Sequence, residues 1–324
     1  MTAAGMRAPI APPGPDLPPD YLILGRAGSE NFPVASRFLP AEVRADILAL
    51  YGWARLVDQL GDDYAGDRLV ALDEVERQLK VALGLGAGDP TTTPGEGTET
   101  SPAGPVASLH PLVLTMARSV QRRQLPSQPL FDLVQANRQD QSISRYATFD
   151  ELVGYCRLSA DPVGRMVLAI FGMATPERTV WSDRICTALQ LVEHWQDVAE
   201  DAIVGRVYLP QEDMRRFGVS EEELLPPPVS YVDRRKRGAP GGSPAVCRAL
   251  MAFEAARARR LLEAGSPLVS SLTGRFRVAV AGFVAGGHAT LDALARVDYD
   301  IYAETPRPQG HRFARHLIDQ LRAI

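Results

Sequence analysis

Residues 49–63 read ALYGWARLVDQLGDD, a helical pattern that closes on carboxylates. Leading into it, Val43, Ile47, Leu50, Ala54 and Val57 recur every three or four residues, the period of a helix with one buried face. On a helical wheel Tyr51, Arg55, Asp58 and Asp62 form a narrow stripe beside that face. Asp58 and Asp62 therefore point the same way, one turn apart. Like charges at that spacing lie ~5–6 Å apart at Cβ and destabilise an isolated helix by a few tenths of a kcal/mol. Either solvent or a cation must offset the repulsion.

A second stripe repeats the arrangement. In LQLVEHWQDVAED (189–201), Gln190, His194, Asp197 and Asp201 share one side with Glu193 next to them, while Leu191, Trp195 and Val198 occupy the other. Two solvated helix faces are one reading. Solvated faces usually interleave Lys with Glu, however, and the stretch between Arg184 and Arg206 holds acids and no Lys or Arg. The other reading is two facing sets of oxygen donors for a hard cation. Mg²⁺ takes one or two carboxylates plus water and phosphate oxygens, so facing pairs would hold several Mg²⁺ ions around a diphosphate. In GRVYLP (205–210), Gly205 reads as a helix C-cap and Arg206 as a phosphate contact, and Arg55, one turn before Asp58, offers the same from the other side.

The rest of the chain is consistent with an all-α protein. Strand-like alternation is nearly absent, and Thr148 with Glu151 forms a capping box ahead of TFDELVGYCRLSADPVGRMVLAIFGM (148–173). Two Gly/Pro-rich inserts, 84–105 and 225–244, read as mobile loops. They are placed inside one helical domain over 21–324, because the helices before 84 cannot bury both faces alone. The glycines of GLGAGD (84–89) lack the strand and helix that a dinucleotide fingerprint requires. Residues 1–20 are Pro-rich without an apolar signal core and are expected to form a disordered leader.

With 324 residues, 45% hydrophobic content and net charge −4, the chain has material for a large core and no general attraction for nucleic acid. The one basic cluster, RRKR at 234–237, falls in the second insert and reads as solvated loop. Cys156, Cys186 and Cys247 match neither a metal nor a redox spacing. The most apolar run, VAVAGFVAGG (278–287), is shorter than the ~18 residues of a membrane span. The expectation is a cytoplasmic protein, with peripheral contact at the inner membrane face as a second reading. The C-terminal stretch RPQGHRFARHLIDQLRAI (307–324) carries Arg307, Arg312, Arg315 and Arg322 among apolar residues. It is either a capping helix or an element that rests on anionic lipid.

Five stretches together resemble the squalene and phytoene synthases, of the trans-isoprenyl diphosphate synthase fold. They are ENFPVASRFLP (30–40), YGWARLVDQLGDD (51–63), NRQDQSISRYATFDELVGYCRLSADPVG (137–164), LQLVEHWQDVAEDAIVGRVYLP (189–210) and YDIYAETPRP (299–308). The resemblance covers roughly 25–315. ENFPVAS with WQDVAED is most similar to the hydroxysqualene synthase branch of hopanoid pathways. The resemblance implies a helical bundle around a central cavity and a prenyl diphosphate substrate, presqualene or farnesyl diphosphate. It also implies sister enzymes of the squalene pathway as partners. Carried over by position, it implies Asp58, Asp62, Asp197 and Asp201 as Mg²⁺ ligands, Gln190 near the diphosphate, Arg55 and Arg206 on phosphate, and Tyr51 and Tyr155 in the site wall. Two departures leave the number of ions open. Gln59 stands where a second consecutive aspartate is common, and Glu193 stands where an asparagine usually helps hold a metal.

The implied reaction ionises an allylic or cyclopropylcarbinyl diphosphate and must keep the resulting cation from premature water. Tyr51, Tyr155, Phe32 and Phe171 are candidate aromatic walls, with plain core packing as the other reading. Pro162 interrupts a helix and frees the carbonyl near Leu158, while Ala160 and Gly164 leave room for a ligand. His194 reads as a proton acceptor or as a histidine paired with a carboxylate. Asp140, Arg145 and Tyr146 read as a flap over the diphosphate or as a polar interhelical loop. The condensing reaction, in which two prenyl diphosphates join head to head, uses the same aspartates and is the alternative. A non-catalytic helical protein is the third.

Overall fold

The structure, a computed structural model, describes residues 15, 17–19, 39–85, 109–226, 242–303 and 307–323. Most of the expected leader, the ENFPVAS stretch with Phe32, and most of the two inserts lie outside the described residues. Among the described residues the regular elements are helical, apart from one isolated bridge between Arg145 and Val207.

The opening motif lies on α1 (Ala41–Asp62), which buries Ile47, Leu50, Trp53, Leu56 and Val57 completely. Each fully buried side chain of this size contributes ~1.5–3 kcal/mol. Asp46, also buried, is held by Arg122 and Arg123 at the end of α3 (Pro111–Arg123), which ties those two helices together. With α2 (Arg68–Leu83) and α4 (Gln128–Asp140) they form the first half of the bundle.

The run 148–173 is not one helix. It divides into α5 (Phe149–Ser159) and α6 (Asp161–Ile170) around Ala160, because Pro162 has no N–H to return to the Leu158 carbonyl. The Thr148 hydroxyl accepts from the Glu151 amide as expected, but the Glu151 carboxylate caps the Ala147 N–H at 2.7 Å, one residue earlier than in a standard box.

Next come α7 (Pro176–Gln196), α8 (Val198–Ile203) and α9 (Gln211–Phe217). The final group is α10 (Ala245–Gly265), α11 (Pro267–Ser271), α12 (Gly274–Arg296) and α13 (Gly310–Arg322). α7 packs along α10, and α12 lies against both. Their apolar residues, with those of α5, make the second half of the core, around Leu152, Trp195, Leu250, Leu262 and Val284.

Two expectations need correction. The single helix read through 189–201 breaks at Asp197, whose φ of −107° and ψ of 12° leave the helical region. The apolar run 278–287 is the middle of a 23-residue helix, α12, which is long and apolar enough to cross a membrane by length and composition. It is instead packed among the neighbouring helices, with 61% of its most apolar window buried. α13 rests on α12: His316 Nε2 lies 2.9 Å from Asp292, and Arg277 donates to the Leu321 and Ala323 carbonyls. The geometry of this helix is that of a cap on the bundle, with Arg315 and Ile318 on its outer side.

Candidate active site

Two cavities lie where the two halves of the core meet. The first, of 290 Å³, is polar and is lined by Asp58 and Asp62 of α1, Asp140 of α4, Glu193 of α7, Asp197, and Asp201 of α8, with Arg55 and Arg206. The second, of 480 Å³, is mainly apolar, lined by Leu50 and Tyr51 from α1, Val163 and Val167 from α6, Leu189 from α7, and Val280 and Phe283 from α12. They share a wall made of Arg55, Asp58, Leu133, Ser159, Gln190 and Glu193. An acid-rich pocket thus opens onto a greasy chamber, both in the size range of small-molecule sites, ~300–1,000 Å³.

The two stripes face each other across the polar cavity. In LVDQLGDD, Asp58 and Asp62 line it and Gln59 and Asp63 do not. Gln59 therefore removes no donor from the cavity. Gly61 has a spatial reason: a Cβ there would sit 2.0 Å from the Asn137 Oδ1, and Asn137 donates to the Asp58 carboxylate at 3.4 Å. On the opposite wall, α8 ends in a Schellman turn. The Arg206 N–H returns to the Asp201 carbonyl at 2.9 Å, the Gly205 N–H returns to Ala202 at 3.1 Å, and Gly205 takes φ +80°. That turn aims the Arg206 guanidinium across the cavity, where it donates to Asp62 at 2.9 Å.

The carboxylates are crowded. Burial pushes Asp58 up to about 7, with Asp62 and Glu193 adding to the effect and Asn137 and Arg55 opposing it. Burial and then Asp197 push Asp201 up to about 7, and Asp197 itself is raised by burial and Glu200. Asp140 is raised to about 6 by burial, although Tyr155 donates to it at 2.7 Å, and its second oxygen is buried with no hydrogen-bond partner among the described residues. Such a set repels itself until protons or cations compensate it.

Aromatic residues underlie this pocket. Tyr146, Tyr155 and Tyr208 have ring centroids 5.6–6.0 Å apart, and His194 stacks on Tyr208 at 3.7 Å. Burial, with Arg206 nearby, holds His194 down at about 3, so it is neutral at physiological pH. Its side-chain hydrogen bond is to Gln190, with 3.3 Å between the two nitrogens, rather than to a carboxylate. Among the described residues the expected pairing with a carboxylate is not found, and so weak a base is ill-suited to taking protons.

Most of the expected residues converge. Asp58, Asp62, Arg55, Gln190, Glu193, Asp197, Asp201, Arg206 and Tyr155 line the polar cavity, and Tyr51 lines the apolar one. Phe171 does not join them: it packs on Phe276 with centroids 4.4 Å apart, inside the first half of the core. The three residues read as a flap or an interhelical loop take different places. Asp140 lines the pocket, Tyr146 is 2% exposed beneath it, and Arg145 is pinned by Glu221 and the Gly205 carbonyl. Asn137, Ser159, Tyr208 and Phe283 were not singled out by the sequence reading, because their place depends on which helices meet rather than on spacing along one helix.

At Gly164, α6 lies close against α7. A Cβ there would meet Ser182 Oγ at 2.4 Å and Cys186 Sγ at 2.5 Å. Gly164→Ala is expected to cost about 1–3 kcal/mol by overpacking, read as a lower denaturant midpoint with an unchanged slope.

The family model for squalene/phytoene synthase matches residues 26–314. A hydroxysqualene synthase of Sinorhizobium fredii is 33% identical over 260 residues, 78% of this chain and 75% of the relative. A phytoene synthase of Arthrospira platensis is 29% identical over 289 residues, 85% of this chain and 82% of the relative. The crystal structure of squalene synthase HpnC from Alicyclobacillus acidocaldarius superposes with a TM-score of 0.68 at 33% identity, covering 87% of this chain and 95% of that one. The all-helical fold and these matches agree: the chain belongs to the squalene/phytoene synthase family of prenyl-diphosphate-processing enzymes.

Proposed function

We propose that this enzyme converts presqualene diphosphate to hydroxysqualene in an Mg²⁺-dependent reaction, a step toward squalene and hopanoids. The observation that carries the reading is the shared wall between an acid-rich pocket and an apolar chamber, which suits a diphosphate head on one side and hydrocarbon on the other. The names of the relatives at 33% identity support the same product.

The donor set fits Mg²⁺. Asp58, Asp62, Glu193, Asp197 and Asp201 offer hard oxygens in one cavity, and burial raises several of their pKa values for want of compensating charge. Among the described residues no three His, Cys, Asp or Glu side chains converge tightly enough to hold an ion alone. That suits ions completed by water and diphosphate oxygens. When bound, Mg²⁺ supplies charge neutralisation of the departing diphosphate. The chain's own groups do the rest. Arg55 and Arg206 grip phosphate oxygens, Asn137 orients Asp58, and the apolar chamber keeps bulk water from the cation. Tyr51 and Phe283 in its lining offer π-faces to positive charge.

Head-to-head condensation of two prenyl diphosphates is the second reading, favoured by the phytoene synthase relatives at 29% identity. Diphosphate release separates the two. With Mg²⁺ and no reductant, presqualene diphosphate is expected to be consumed and farnesyl diphosphate left intact, and EDTA to abolish release. Turnover of farnesyl diphosphate would move the enzyme to the condensing group.

A further inference from the structure

Arg206 reaches across the polar cavity to Asp62, yet it directly follows a glycine. Gly205 takes φ +80°, and among the described residues a Cβ there would meet nothing within 4 Å, so side-chain packing does not hold the turn. Glycine also leaves the backbone around it freer than any other residue does. Hydrogen bonds to the backbone take over that task. The peptide unit that joins Gly205 to Arg206 is held at both ends. Its N–H donates to the Asp201 carbonyl at 2.9 Å, and its carbonyl accepts from Arg145 Nη1 at 2.9 Å. The next unit is held as well, with the Val207 N–H donating to the Ser144 carbonyl at 2.9 Å.

Arg145 is itself fixed from two sides. Its Nε and Nη2 donate to the two Glu221 oxygens at 2.8 and 2.7 Å, and Nη1 also donates to Ser144 Oγ at 2.9 Å. Glu221 opens a 3₁₀ turn, Glu221–Leu224, that the buried Leu224 anchors. Beyond Arg145 the chain runs beside the start of α9, where the Gln211 and Glu212 N–H groups donate to the Tyr146 and Ala147 carbonyls at 2.9 and 3.0 Å. Arg145 lines neither cavity, so it does not reach a substrate there. Its side chain is 41% exposed and that of Glu221 37%, and exposed ion pairs contribute only ~0.2–1 kcal/mol to stability. The consequence of this network is placement of the Gly205 turn rather than stability.

Resting on the reading of Arg206 as a phosphate contact, we infer that Arg145 is the positioning residue for Arg206, holding through the Gly205 carbonyl the peptide unit from which that guanidinium crosses the cavity. A planar fork suits the task, since one edge engages Glu221 while the remaining nitrogen serves the carbonyl. Without it the unit after Gly205 is free to rotate, and Arg206 no longer stands at Asp62 in every molecule. The loss falls on departure of the diphosphate, where Arg206 meets developing negative charge.

The test is a double-mutant cycle between Arg145 and Arg206 in the full chain with Mg²⁺. It reads kcat/KM for diphosphate release from whichever of presqualene and farnesyl diphosphate the wild type turns over, the Kd of inorganic diphosphate by calorimetry, and Tm. Arg145→Ala is expected to lower kcat/KM about tenfold, the worth of one charge-assisted hydrogen bond, and to weaken diphosphate binding, with Tm falling by no more than about 3 °C. Glu221→Gln, which keeps the partner's shape without its charge, is expected to show the same loss in weaker form, and it serves the cycle if Arg145→Ala does not fold. In the Arg206→Ala background either substitution is expected to change kcat/KM and Kd less than about twofold, because the group being positioned is gone. The same factor lost with and without Arg206, or full activity in Arg145→Ala, overturns this inference alone. Full activity and unchanged diphosphate binding in Arg206→Ala overturn the phosphate-contact reading and this inference with it.

Discussion

Asp58→Asn is expected to lower kcat/KM for diphosphate release by about a thousandfold while leaving a folded protein that, without metal at pH 8, melts above wild type. Loss of activity follows from removing an anionic oxygen from the set proposed to hold Mg²⁺. The gain in stability follows from the same carboxylate. Burial first, then Asp62 and Glu193, raise Asp58 from 3.8 to about 7 against the pull of Asn137 and Arg55. The folded protein thus keeps a proton that the unfolded chain releases between those values. The stability that this contributes is present below the unfolded pKa and lost as pH rises through about 7. Asparagine stays neutral throughout. In EDTA the variant's advantage in Tm should be largest at pH 8 and vanish toward pH 4. A variant that loses activity and stability together at pH 8 would contradict this account of the site.

Arg206→Ala is expected to lower kcat/KM by about a hundredfold, with Arg206→Lys recovering little of it. The guanidinium bridges the two aspartate-bearing walls through Asp62, and its place is set by the turn at Gly205. A planar fork can hold Asp62 and a phosphate oxygen at once, whereas an ammonium is a point charge on a flexible stem. Steady-state kinetics on presqualene diphosphate check this: full activity in Arg206→Lys would mean that charge alone suffices there.

The features that lie along single helices were legible in the sequence. Asp58 and Asp62 sit one turn apart on α1, and helical periodicity alone puts them on one side; the same holds for Gln190, Glu193 and His194 on α7. Gly205 as a helix end was readable because few residues besides glycine tolerate a positive φ there. What depends on contacts between helices was not. Asn137 reaches Asp58 only because Gly61 lets α4 approach α1, and Ser159 reaches the wall only because Pro162 ends α5 beside the chamber. Phe171 and Phe283 have similar helical surroundings in the sequence. Phe171 nevertheless packs on Phe276 in the core, whereas Phe283 lines the chamber. The break at Asp197 carries no proline or glycine to announce it.

The most direct measurement is mass spectrometry of the product formed from presqualene diphosphate with Mg²⁺ in ¹⁸O-labelled water, without NADPH. The account predicts hydroxysqualene that carries one oxygen from the labelled water. A hydrocarbon product alone, or an alcohol without the label, would contradict it.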